Sequence, residues 1–98
     1  MEYWPEMEYL LSELHTVNGT NQQLLKAMEE LAELTAAISH FIHKKITLEE
    51  LAKEIVDVEI MVAQLQRVAG EAALAAVRPE RLDHLRVVLK EARERKQV

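Results

Sequence analysis

Residues 23–34, QLLKAMEELAEL, and residues 51–65, LAKEIVDVEIMVAQL, decide how this chain folds. Each segment spaces its apolar residues at helical intervals and carries two acids three positions apart. Residues three apart share a helix face, so Glu30 and Glu33 stand together on one helix, and Glu54 and Asp57 on another. Between the segments, Lys44-Lys45-Ile46 reads as a turn. Thr47-x-x-Glu50 after it is a capping box that opens a new helix. In an antiparallel hairpin centred between His43 and Lys44, Glu30 faces Asp57 and Glu33 faces Glu54. Four carboxylates then meet in one layer. Like charges so close repel strongly in a low dielectric. A hard divalent ion with oxygen ligands, Mg²⁺ or Mn²⁺, relieves that repulsion. The plain alternative is two solvated faces, since the chain has 17 acidic residues and acidic pairs arise often on helices.

Outward from the hairpin the helical reading continues. Thr20, with Gln23 three residues on, reads as the N-cap of a helix running from about Asn21 to His43. Leu24, Met28, Leu31, Ile38 and Ile42 supply its apolar positions. Leu51, Ile55, Val58, Val62, Leu65 and Ala69 trace a stripe on the next helix, and Gly70 ends it. Val56, Ile60 and Ala63 add apolar surface beyond that stripe. A helix apolar on more than one face is buried on more than one, which predicts a subunit interface. Before the hairpin, Pro5 starts a short helix to about His15, and Asn18-Gly19 breaks it. After it, residues 71–77 read as a short helical turn, and Pro79 starts a last helix to about Arg95. The expected fold is all-α and four-helix bundle-like, a single domain over residues 1–98 with its motif-bearing core at about 21–69.

Composition narrows the function. At 98 residues, 49% hydrophobic, with two Gly and two Pro, the chain is short, apolar for its size and helix-prone. It has no cysteine, which excludes disulfides and thiolate metal sites. A net charge of −5 argues against nucleic acid as a partner. No apolar run approaches the ~20 residues that span a bilayer, and the opening MEYWPEMEY lacks the order of a signal peptide. The expectation is a soluble, cytoplasmic protein. His40 and His43 lie three apart without an apparent third ligand, so helix capping or surface exposure is the better reading. Phe41 and Trp4 are candidates for base stacking, with core or interface packing as the simpler role.

The segment from Gln23 to Leu34, followed by Leu51 to Leu65, resembles the MazG-like all-α nucleoside triphosphate pyrophosphatases. Their signature is ExxE, a gap, then ExxD. Glu30, Glu33, Glu54 and Asp57 match it with 20 residues between the motifs, and Gln23 matches a position common in small members. The resemblance covers about Gln23 to Leu65. It implies hydrolysis of a nucleoside triphosphate to the monophosphate and pyrophosphate. It implies Mg²⁺ held by the four acids, and a homodimer or homotetramer. Of the four, Glu33 is our candidate for the residue that also orients or deprotonates water. Lys90-x-x-Arg93 resembles a basic pair that reaches phosphates in some members; a solvated helix end is the alternative. Lys26, one turn before Glu30, meets either a phosphate or Glu30 itself. Lys53 points about 100° away from Glu54 around the helix and reads as a surface residue. Two rivals remain: a non-catalytic helical oligomer or interaction module with a vestigial acidic site, and a pyrophosphohydrolase for a modified nucleotide such as a phosphoribosyl intermediate.

Overall fold

A computed structural model describes residues 4–97. It contains four helices: α1 (Trp4–Asn18), α2 (Thr20–Ile42), α3 (Leu48–Ala69) and α4 (Glu71–Lys96). No strand occurs among the described residues. The fold is all-α. Glycines mark two of the three junctions. Gly19 and Gly70 sit at φ 83 and 88, a region that costs an L side chain roughly 1–2 kcal/mol. At the third junction the Thr47 hydroxyl accepts the Glu50 N–H at 3.1 Å, capping α3 as its sequence requires.

Two local expectations differ. Thr20 is the first residue of α2, with Gly19 in the cap position and no side-chain cap bond. A single residue separates α1 from α2, so the Thr20 hydroxyl is drawn to His15 Nε2 at 2.7 Å instead. Gln23, the expected capping partner, turns inward and accepts a hydrogen bond from Asn18 Nδ2 at 3.1 Å. The second difference is α4, one continuous helix with Pro79 inside it. Alanine has the strongest helix propensity, and the Ala-rich start carries the helix through the proline. Proline removes one amide donor from a helix interior, but α4 buries no residue. Water can solvate the carbonyl left without its partner.

The chain divides into two compact units, one up to Val68 and one from Ala69 on. In the first, residues 43–47 turn the chain back and α2 and α3 run antiparallel. α1 packs on α2, and its Met7 and Leu10 line a cleft with Val56 and Ile60 of α3. Among the described residues, those buried are Leu11, Gln23, Ala27, Ala37, Met61 and Gln64. This is an unusual core: two of the six are glutamines. Meanwhile, of the five apolar positions read on α2, Met28, Leu31, Ile38 and Ile42 are exposed and Leu24 is half-buried. That stripe lies about 100° around the helix from the Gln23–Ala27–Glu30–Ala37 face. The hairpin thus turns a polar seam inward and apolar side chains outward. α4, described by itself, is amphipathic and wholly exposed or half-exposed. No single described helix is long and apolar enough to cross a membrane. The side chain of Trp4 lies outside the described residues.

Candidate functional site

The acidic motifs fall where α2 and α3 face each other. Carboxylate oxygens of Glu30, Glu33 and Glu54, one from each, lie within 4.8 Å of one another. The helical period places Glu30 and Glu33 on one turn of α2, and the hairpin register brings Glu54 across from them. Burial grades through the group. The Glu30 side chain is 12% exposed and that of Glu54 22%, while Glu33 is exposed. Glu30 Oε2 and Glu54 Oε2 are buried without a hydrogen-bond partner. Buried polar atoms ordinarily find partners, so these two oxygens mark a place where a cation or donor is expected.

Charge accumulates accordingly. The Glu30 carboxylate beside it pushes the Glu33 carboxyl above its ordinary value, and partial desolvation and Glu54 add to the effect. Two lysines offset the rest. Lys26 Nζ lies 3.2 Å from Glu30 and 3.6 Å from Glu29. Its pKa is raised, chiefly by the hydrogen bond to Glu30. The ion-pair reading of Lys26 is therefore the one that the structure displays. Lys53 is exposed, as a surface residue should be, but it is not idle. Its Nζ meets Asp57 Oδ2 at 2.9 Å and Glu54 Oε1 at 3.5 Å, and Asp57 is the main cause of its raised pKa. A long, flexible lysine can curl back along the helix to a neighbour on another face.

Three acids face one another, and the fourth, Asp57, is held by Lys53. Gln23 is buried in the same seam. Lys90 and Arg93 lie in the second unit, where they share an exposed groove of α4 with Arg86 and Leu89. His43 Nδ1 lies 2.8 Å from the Ser39 carbonyl, the capping role expected of it. Phe41 is partly exposed on α2.

One residue escaped the sequence reading. Gln64 is 0% exposed, and neither its Nε2 nor its Oε1 has a partner. The signal was present in the spacing of Glu54, Asp57, Met61 and Gln64, which all fall on one face of α3. Next to the acids, a mainly apolar cleft of about 370 Å³ is lined by Leu34, Ile55, Val58 and Val62, with Glu59 and Gln66 as polar members. Apolar walls with few polar groups are the usual form of a small-molecule site.

The donor set is all carboxylate, which suits Mg²⁺, Mn²⁺ or Ca²⁺ rather than softer metals. Together with the two unpartnered oxygens, it fits a hard divalent cation at this place. In comparisons with known proteins, the chain matches no protein family, no curated protein and no solved structure.

Proposed function

We propose that the chain is a Mg²⁺-dependent nucleotide pyrophosphohydrolase that works as a homo-oligomer. The observation carrying this reading is the three-acid group, drawn from two helices, with two buried oxygens that lack partners. Glu30 and Glu54 would hold the cation, with Asp57 joining when Lys53 yields it. When bound, a divalent ion neutralises phosphate charge and makes a coordinated water more acidic. Glu33 is the exposed member and can reach a substrate water. It orients that water and takes its proton as the water oxygen bonds to the α-phosphorus. The α–β bridging bond breaks, giving the monophosphate and pyrophosphate. Lys26 holds Glu30 in place.

The test is pyrophosphate release from a panel of ribo- and deoxyribonucleoside triphosphates, with Mg²⁺ and with EDTA. Metal-dependent release that disappears in Glu33→Gln supports the reading. Silence across the panel, with melting unmoved by Mg²⁺, would overturn it.

The exposed apolar residues favour a second reading, a non-catalytic helical oligomer. Leu31, Ile38, Ile55, Val56 and Val62 lie on the helices that carry the acids. In this reading Lys26 and Lys53 merely neutralise a vestigial cluster. Mg²⁺ then leaves the melting temperature unchanged, which separates the two.

A further inference from the structure

The hairpin seam holds unpartnered polar atoms at two levels. At one are Glu30 Oε2 and Glu54 Oε2; at the other are both amide atoms of Gln64. The register that brings Glu33 across from Glu54 places Gln23 across from Gln64. Gln23 is 3% exposed and Gln64 fully buried. On each helix the glutamine lies seven residues from an acid of the motifs, Glu30 or Asp57, which is ~10 Å at 1.5 Å per residue. Between the levels Ala27 and Met61 are buried, and the first of these is small.

We propose that Gln64, with Gln23 beside it, reads the base of the nucleotide whose phosphates the acid group takes. The inference rests on the pyrophosphohydrolase reading and adds where the base goes. A nucleotide is anionic at one end and carries adjacent hydrogen-bond donors and acceptors on its base at the other. The seam matches that polarity, with acids for a cation and phosphates at one level and an amide offering one donor and one acceptor edge at the other. Gln23 Oε1 already accepts from Asn18 Nδ2, so Gln23 has its amide N–H groups left to donate. A buried amide without partners is costly, and the edge of a base would supply both a donor and an acceptor to it.

α1 closes this end of the hairpin. Leu11 is 2% exposed and lines a small cleft with Ala63 and Arg67. Base entry requires α1 to turn away from the seam. Gly19, at φ 83 with open space around it, is where the chain can turn.

The experiment is calorimetric binding of α,β-methylene triphosphates of adenine, guanine, cytosine and uracil, with Mg²⁺ present. These analogues bind without turnover. Wild type is compared with Gln64→Met, which keeps the side chain's length and removes the amide. Gln64→Asn, which keeps the amide but withdraws it, serves as second variant should the first fail to fold. Wild type is expected to rank the bases, and the variants to compress that ranking by about tenfold, the scale of one lost base contact. The Mg²⁺-induced rise in melting temperature should persist in both. Variants that melt higher and keep the wild-type ranking, or a wild type indifferent to the base, would overturn the inference and leave the pyrophosphohydrolase reading standing. A wild type that binds none of the analogues would overturn both.

Discussion

Glu33 is the exposed member of a three-acid group, and its carboxyl is held above the ordinary value of 4.5 by Glu30 first, then by desolvation and Glu54. A carboxyl raised in the folded state favours folding below its unfolded pKa, and that contribution disappears as pH rises through the folded value. Without metal, the protein is therefore expected to lose stability as pH climbs from about 4.5 into the raised range of Glu33. Glu33→Gln should flatten that part of a melting-temperature profile and melt higher than wild type at neutral pH. The same substitution should cost about 10²–10⁴-fold in turnover if Glu33 moves the proton. Opposite signs for stability and activity separate a strained functional group from a structural one. Lys53 affords a second expectation. Its ammonium occupies Asp57 and neighbours Glu54, so it competes with a cation for the same oxygens. Lys53→Met should tighten Mg²⁺ binding by about fivefold, the scale of one charge at a few ångströms in water. Unchanged Mg²⁺ affinity by titration would mean that the lysine lies outside the ion's field.

At the scale of helices, what depends on neighbours along the chain was legible in advance, and what depends on packing was not. Thr47 caps α3 because the bond its hydroxyl accepts, from the Glu50 N–H, reaches only three residues along the chain. Thr47→Ala is expected to destabilise the first unit by about 0.5–2 kcal/mol in urea unfolding. Gly70 ends α3 for an equally local reason, its positive φ. Thr20 carried the same cap signature, yet its hydroxyl went to His15, which only the approach of α1 supplies. Likewise the i, i+3 acids were readable from the helical period, but the grip of Lys53 on Asp57 is a choice of side-chain conformation. Gln64 lies between the two cases: its spacing from Glu54, Asp57 and Met61 puts it on the acid-bearing face of α3, but its complete burial depends on the opposing helices. In α4, proline read as a starting signal, while the alanines before it sustain helix far enough to place it inside. Pro79→Ala should leave α4 one continuous helix and stabilise it, by up to ~3 kcal/mol on the propensity scale. Circular dichroism with denaturant would measure this.

For the molecule as a whole, the inversion of polarity is what demands a partner. A helix pair normally joins through its apolar stripes and leaves its charges to water. Here Gln23, Glu30, Glu54 and Gln64 point into the seam, while Ile38, Ile55, Val56 and Val62 remain exposed. A seam of this kind contributes little hydrophobic stabilisation, and small domains have little to spare. Large exposed apolar side chains occur on every described helix, including α2 and α3, which carry the acids. Where such side chains adjoin, they mark an interaction site. The proposed assembly would supply the missing burial at about 25 cal/mol per Å², and would give the acid-bearing hairpin a rigid surround. Sedimentation equilibrium should therefore report a mass above that of the 11.3 kDa chain. Val56→Glu combined with Val62→Glu should shift it toward the single-chain value and lower the melting temperature, because charge is costly to bury. Wild type should then show a melting temperature that rises with protein concentration, since mass action couples association to folding. The double variant should not. A wild type that sediments as one chain and melts independently of concentration would mean that the outward apolar face has some other cover, and the search would turn to a second protein.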